Sequence, residues 1–544
     1  MTVRMQIGSI GIATITIAVS LSACQRAQES AAAQVTGASH PVATSSLARV
    51  ATVDDRYQSF NVEMLEVTGG KFWKPYGPEL DAILKEGKSA AAASSASDTP
   101  TGMDPRLYQY LPPIDLSNAR LRKLASALAP AYVRVSGTWA NTTYFPDSDS
   151  APSTPPAGFA GVLTHGQWKG VMDFSRAVDA KIVTSFATGV GARDAAAVWT
   201  DRQAHRFLDF TKTTGGSIAA AEFMNEPTFA AMGGAPKGYD AAAYGRDFKR
   251  FRAFAKQAAP GMLILGPGSV GETTGTWGVA YGDTPIIKTR DLLAASGPGM
   301  DAFSYHHYGA SSQRCAAMGM QTAADAALSE DWLRRTDETL AFYRQLRDEF
   351  EPGKPFWLTE TADAACGGNP WARTFLDTFR YLDQLGRLAK QDVKVVMHNT
   401  LVASDYGLLT EKEFAPKPNY WAAVLWRRLM GTTVLESGIP IQAGLHVYAH
   451  CLRGAPGGVA LLALNTSQTE ANAIDVPTPA EGYTLTATAL QDKQVQLNGE
   501  VLSLQANDDL PTLQGRRIAA GRVALAPASL TFLRLADAAN ASCR

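Results

Sequence analysis

The chain has 544 residues, of which 46% are apolar, with a formal net charge of -1 and a pI near 6.7. That length exceeds one minimal domain and leaves room for a barrel of about 250 or more residues beside a second unit. The balanced charge argues against gripping nucleic acid, or a heavily sulfated polymer, by net charge alone, a mode that calls for a basic surface.

The N-terminus stands apart. Arg4 precedes an apolar run from Ile7 to Leu21 and then small residues, the three-part pattern of a secretory signal over residues 1–23. The run is short of the roughly 20 residues that span a membrane. Leu21-Ser22-Ala23-Cys24 resembles a bacterial lipobox, which implies lipidation of Cys24; the alternative is a plain signal peptide that ends near a cysteine. Residues 24–50, rich in Ala, Ser, Gln and Thr, are expected to be a flexible tether. The expected location is an exported lipoprotein held at the outer membrane of a Gram-negative bacterium, facing the periplasm or the cell surface. With Cys24 lipidated, four of the five cysteines remain in a disulfide-permissive compartment, with three possible pairings.

Eight short runs rich in β-branched and aromatic residues follow: residues 59–65, 131–137, 181–189, 219–227, 262–269, 302–309, 355–361 and 393–400. Their near-continuous apolar character suits strands buried on both faces. Between them lie helical periodicities such as SNARLRKLASALA, opened by a Ser-Asn cap signal, and ARTFLDTFRYLDQLGRLAK. Strands alternating with helices predict an α/β fold, a (β/α)8 TIM barrel over residues 59–431. A low-complexity stretch, 85–105, interrupts it and is expected to be a mobile surface insert. After the helical NYWAAVLWRRLMG the pattern turns purely β, predicting a C-terminal β-sandwich over 432–544.

The barrel gives meaning to AEFMNEPTF, residues 221–229. Active sites of such barrels lie at the C-terminal ends of the strands. Glu226 closes the fourth run and Glu360, in FWLTETADAACGG, closes the seventh. Two carboxylates facing one another across the barrel mouth are what glycoside hydrolysis needs: one protonates the leaving oxygen, the other attacks or activates water. Burial would raise the acid's pKa, and Asn225 beside it can hold a sugar hydroxyl. The competing reading is two solvated loop carboxylates.

Asn-Glu-Pro after strand four and a Glu ending strand seven resemble the large clan of retaining glycosidases built on this barrel. LRKLASALAPAYVRVSGTWANTTYF, FMNEPTF, SYHHYG, WLTETADAACGG, NYWAAVLWRRLMGTTVLE, LHVYAHC and VQLNGEVLSL, in this order, resemble heparanase and its relatives, glycoside hydrolase family 79. The resemblance implies that Glu226 is the acid/base, that Glu360 is the nucleophile and that Asn225 contacts the sugar at the cleavage point. It further implies that Glu63 and Thr138 line a glucuronate subsite, with Tyr308 near the nucleophile and Asn399 and Tyr406 in the pocket after strand eight. Backbone N–H groups around Cys366 and Gly367 would receive the uronate carboxylate, with hydroxyl donors from Tyr308 and Tyr406. It implies a sandwich disulfide between Cys451 and Cys543, which leaves Cys315 and Cys366 as a further possible pair. It also implies that an N-terminal segment, residues 51–58, joins the sandwich.

Two departures weaken the case for tight binding of heavily sulfated chains. GETTGTWGVAYGDTPIIKTRD lacks the basic pair that vertebrate members carry after strand five, and Ala365 and Cys366 replace an aromatic and a glycine. His306 and His307 are adjacent on a strand and point to opposite faces, so they are a poor metal pair; no metal and no cofactor are expected. Asn465-Thr466-Ser467 matches a glycosylation acceptor. The expected activity is a retaining β-glucuronidase acting on uronate-containing oligo- or polysaccharides, heparan sulfate or a related glycosaminoglycan among them, as a monomer and without nucleic acid. Two alternatives stay open: a strictly exo-acting β-glucuronidase on small glucuronides or plant and bacterial glycans, and a non-catalytic surface glycan-binding protein.

Overall fold

The computed structural model describes residues 39–86, 99–100, 103–273, 280–281, 284–316 and 319–544. The signal peptide, Cys24, the first part of the tether and most of the 85–105 insert lie outside the described residues, as does part of the segment after the fifth strand.

Eight parallel strands close a barrel in chain order. They are β1 (Gln58–Glu63), β2 (Ala131–Ser136), β3 (Ala180–Ser185), β4 (Ile218–Glu222), β5 (Leu263–Ser269), β6 (Ala302–Ser311), β7 (Phe356–Ala365) and β8 (Val393–His398), with β8 paired to β1. Each of the eight predicted runs supplies one. The helix Ala119–Ser126 starts where its cap signal lies, with the Asn118 side chain accepting from the Leu121 N–H. β4 is shorter than expected: Phe223 leaves the sheet to pack against Trp199, Phe248 and Phe251. Glu226 therefore sits in a turn beyond the strand, with left-handed φ 48°.

The lumen is layered. Side chains two residues apart on a strand share a face. At the lower end Tyr132, Val183, Ala220, Leu265, Ala302, Trp357 and Val395 form a buried apolar plug. Two residues further along β2, β4, β6 and β7 stand Arg134, Glu222, Ser304 and Thr359, all buried. Glu222 accepts hydrogen bonds from the other three, at 2.7–3.1 Å. The change from apolar plug to polar network marks the floor of the site.

The sandwich pairs a nine-stranded sheet, which includes Arg49–Thr52, Met430–Leu435, Leu445–Leu452 and Val459–Asn465, with a three-stranded one of His40–Pro41, Asn472–Val476 and Gly521–Leu525. The stretch read as tether thus already forms part of the sandwich from His40. Val42 and Leu47 are buried in its core, and Asn540 Nδ2 donates to the carbonyls of Thr44 and Leu47. The joining strand is Arg49–Thr52, earlier than the expected 51–58; residues 54–57 turn toward β1 because the Val53 N–H makes the last bond to the sandwich, at the Thr432 carbonyl. Cys451–Cys543 is a disulfide with Cα atoms 5.2 Å apart. Asn465 is buried, its Nδ2 donating to the carbonyls of Glu470, Leu525 and Ala526, so the acceptor sequence there is closed to a glycan.

Helix Phe375–Lys390 is buried along nearly its whole length and joins the two units. Its Asp383 accepts from Arg387, His446 Nδ1 and Tyr448 OH at 2.5–2.6 Å. Gly386 lets the Tyr448 ring lie on the helix, where a Cβ would come within 2.4 Å of ring carbons. Gly386→Ala is therefore expected to destabilise the protein by about 1–3 kcal/mol, despite alanine's higher helix propensity. An unchanged melting temperature would show that this interface yields freely.

Candidate active site

Arg134 organises the C-terminal mouth of the barrel. Its guanidinium donates to Glu222 at 2.8 and 3.1 Å, to Glu360 Oε2 at 2.7 Å and to Asn225 Oδ1 at 2.7 Å. Sequence reading passed over both Arg134 and Glu222, although a charge in the middle of AYVRVSG or AAAEF has to find a partner once the strand is buried. Asn225 is fixed further by Asn141, which exchanges two 3.0 Å hydrogen bonds with its backbone.

Glu360 reaches the site through an irregularity. On β7 Trp357 and Thr359 face the lumen, so regular alternation would turn Glu360 outward. The register against β8 slips between Leu358 and Thr361, and that slip brings Glu360 to the inner face. Tyr308 OH donates to Glu360 Oε1 at 2.7 Å. Its proton is thus committed to Glu360 and is not the free donor expected for a uronate. Asn399 Nδ2 donates to Tyr308 OH, Tyr406 OH and Glu63 Oε1 at 3.0–3.2 Å, gathering four of the expected residues. Glu63 Oε2 is buried without a protein partner among the described residues. It lies so close to Gly137 that any Cβ there would overlap it, at 1.6 Å. Thr138 lines the same pocket.

His306 faces in and His307 faces away, as alternation requires. His306 Nδ1 lies 3.1 Å from Glu226 Oε1 and 3.7 Å from Glu360 Oε2. Burial pushes its pKa down, but the charge of Glu360 and bonds to Glu222 and Glu226 outweigh this and raise it to about 9. Arg134 Nη2 approaches Nε2 to 3.2 Å, a contact that suits a neutral ring better. We favour the imidazolium: Glu222 and Glu360 are two buried anions, and Arg134 is one cation. One oxygen each of Glu226 and Glu360 and a ring nitrogen of His306 lie within 4.8 Å of one another. That spacing would suit an ion, yet the positive charge is already supplied by Arg134 and His306.

The two carboxyl groups are driven apart. Burial raises the Glu226 pKa, and the charge of Glu360 raises it further, against the opposing bond from His306. Glu360 is buried too, but His306, Arg134 and the Tyr308 hydroxyl hold it below the ordinary carboxylate value. One acid stays protonated while its neighbour stays ionised.

The far wall is a loop. Cys366, Gly367 and Gly368 all adopt left-handed backbone, with φ of 63°, 83° and 85°. Cys366 is disulfide-bonded to Cys315, with Cα atoms 6.2 Å apart. Beside this loop Trp73 and Tyr108 stack at 4.5 Å on a hairpin of Gly70–Trp73 and Tyr108–Leu111. Both line the pocket with Glu63, Glu226 and Glu360. A wider cleft of about 920 Å³ opens among Lys181, Lys212 and Leu263 at the N-terminal ends of the strands; it holds no facing carboxylates and lies opposite the end where barrel chemistry is built.

No family model matches the chain. Over 515 residues it is 26% identical to heparanase from Mus musculus, covering 84% of this chain and 92% of the relative. Over 188 residues it is 33% identical to baicalin-beta-D-glucuronidase from Scutellaria baicalensis, covering 33% of this chain and 36% of that one. The chain is a glycoside hydrolase, similar to heparanase over most of its length. In fold it is similar to a 4-O-alpha-L-rhamnosyl-beta-D-glucuronidase from Fusarium oxysporum, with a TM-score of 0.60, 12% identity and coverage of 92% of this chain and 100% of that one.

The electrostatics predict the pH profile of this heparanase-like enzyme. If Glu360 acts ionised, its lowered pKa means that activity falls only as pH drops below the ordinary carboxylate range. If Glu226 acts protonated, its raised pKa means that activity falls as pH rises through that higher value. Glu226→Gln, assayed on a substrate whose leaving group needs no proton, should lose the alkaline limb and keep the acidic one. An alkaline limb that survives would assign it to another group.

Proposed function

We propose that the enzyme is a retaining β-glucuronidase that removes terminal β-D-glucuronate from glycans and small glucuronides. The observation that carries this is the pair Glu226 and Glu360, with oxygens within 4.8 Å. Retaining glycosidases hold their carboxyl groups about 5–5.5 Å apart and inverting ones about 6.5–9.5 Å. The Glu360 carboxylate attacks the anomeric carbon, forming a glycosyl ester, while Glu226 gives its proton to the departing oxygen. Glu226 then takes a proton from water, the water oxygen bonds to the anomeric carbon, and the ester breaks to release glucuronic acid and Glu360. Arg134 and Tyr308 hold the nucleophile and stabilise its charge as the ester breaks.

The uronate carboxylate would meet the backbone of the Cys366–Gly368 loop. The carbonyls of Cys366, Gly367 and Gly368 are taken by Ser312, Ser404 and Tyr76, among others. In a trans peptide the N–H points opposite to the carbonyl, which leaves the Gly367 and Gly368 amides for an anion. The names of the Scutellaria and Fusarium proteins, both glucuronidases, agree with this substrate class.

Cleavage at chain ends is favoured by the hairpin. In a glucuronate ring C4 lies opposite C1 and beside C5, which bears the carboxylate. With C1 at Glu360 and the carboxylate at the loop, O4 points at the wall of Trp73 and Tyr108. Trp73 packs on the same loop, and a Cβ on Gly367 would come within 2.9 Å of it. A further sugar on O4 would run into that wall.

Aryl β-glucuronides should be cleaved in clear preference to aryl β-glucosides of the same leaving group, and 4-O-glycosylated glucuronides should be refused. Equal rates on the two sugars would overturn the uronate reading; release of internal oligosaccharides from heparan sulfate would overturn the end-acting one. Glu360→Ala should abolish turnover, with azide restoring part of it as the α-glycosyl azide. Glu226→Ala should spare activated substrates far more than natural ones. Normal activity in Glu360→Ala would remove the nucleophile assignment.

A further inference from the structure

We infer that Arg314 is the positioning residue that gives the enzyme its selectivity for a carboxylated sugar, although it touches no substrate. The inference rests on the glucuronidase reading above and adds a determinant outside the pocket.

Arg314 lies on the short turn Gln313–Cys315 after β6, next to the disulfide-bonded Cys315. Its side chain is fully buried. The guanidinium binds three separate loops at once. Nη1 donates to the carbonyls of Cys366 and Gly368, at 3.2 and 3.0 Å. Nε donates to the Lys74 carbonyl, on the chain that leaves the aromatic hairpin, at 2.9 Å. Nη2 donates to Asp405, after β8, at 2.5 Å. The plane of the group lies over Tyr76, 4.1 Å from the ring centre, and the Tyr76 hydroxyl itself donates to the Gly368 carbonyl at 3.1 Å.

This arrangement fixes the direction of the loop. A run of three left-handed residues, one of them not glycine, is strained on its own, so something must hold it. Arg314 pulls the Cys366 carbonyl to the outer side, and Asp405, the carboxylate it binds, holds the Gly367 carbonyl through its backbone N–H at 3.2 Å. The planar peptides then turn the Gly367 and Gly368 N–H groups the other way, while the N–H after Gly368, that of Asn369, is taken by Asp363 Oδ2 at 3.0 Å. The loop becomes a set of donors on the pocket side because a cation sits behind it. Arg314 does this by geometry. Asp405 meets its charge at contact distance and is shared with Arg373 at 3.5 Å.

A lysine could keep the charge opposite Asp405 but could not serve three loops at fixed angles. The test therefore uses Arg314→Lys together with Arg314→Ala/Asp405→Asn, which removes both buried charges. Each is measured on aryl β-glucuronide and aryl β-glucoside below its melting temperature. The expected result is a loss of about 100-fold in kcat/KM for the glucuronide, the scale of a misplaced binding group, carried mainly by KM. Glucoside turnover should change little, so the sugar preference collapses. A purely structural role would lower both substrates together. Folded Arg314→Lys with the wild-type preference would overturn the inference. A wild-type enzyme with no preference for the glucuronide would instead overturn the substrate reading on which it rests.

Discussion

Everything at the mouth of this barrel depends on one buried cation. Arg134 sits at the centre of the lumen, bonded to Glu222 on one side and Glu360 on the other. Neither carboxylate would stay ionised there alone, since removing a charge from water costs several kcal/mol unless it is paired. Glu222 takes two further hydroxyl donors, Ser304 and Thr359, and so is fully committed to structure. Glu360 takes one arm of the guanidinium and the Tyr308 hydroxyl, and this keeps it anionic and aimed. Loss of Arg134 would leave two anions in an enclosed space with His306 as their one nearby cation, so the same residue governs folding of the lumen and ionisation of Glu360.

The reactive geometry comes from departures from regular structure. A register slip turns Glu360 inward, a left-handed turn presents Glu226, and three consecutive left-handed residues form the loop at Cys366. The left-handed non-glycine residues, Glu226 and Cys366, cost on the order of 1–3 kcal/mol each and persist only where the surroundings over-determine them. The surroundings here do so. Asn141 holds the backbone of Asn225, immediately before Glu226. The Cys315–Cys366 disulfide and Arg314 hold the loop. The buried helix Phe375–Lys390, clamped to the sandwich through Asp383, backs β7 and β8. The sandwich thus braces the side of the barrel that carries Glu360.

The residues themselves explain what was legible in sequence. Strands buried on both faces leave continuous apolar runs, and all eight were visible. Asn225-Glu226-Pro227 and Glu360 were visible because carboxylates directly after such runs have few structural uses. Arg134 was not, because its meaning lies in Glu222, Asn225 and Glu360, which are between 88 and 226 residues away. The phase change at Glu360 is a pairing event between strands and leaves no local pattern. His40–Pro41 and Arg49–Thr52 were hidden for a related reason. Each is a short edge strand in a polar stretch, and its partner, Asn472–Val476 or Met430–Leu435, lies near the other end of the chain.

The charges of the site also bear on how it selects a substrate. Two arginines lie close to the pocket, yet each is matched by carboxylates of the chain, Arg134 by Glu222 and Glu360, and Arg314 by Asp405. Neither offers net charge to an incoming anion. Glu63, buried, and Glu226, half-buried, have pKa values pushed up by desolvation and by the Glu360 charge, so a uronate entering the pocket need not face a cluster of anions. On the proposed reading, recognition would then fall to neutral donors in fixed directions, the loop amides and the Tyr406 hydroxyl. Such donors discriminate by position, because a buried amide left without an acceptor costs about 1–3 kcal/mol and a glucoside offers one neutral hydroxyl oxygen there in place of two carboxylate oxygens. A basic groove would attract any polyanion. On the proposed reading, a neutral cradle behind an aromatic wall would accept one ring at a time, and its selectivity would be only as good as the rigidity of the loops that form it.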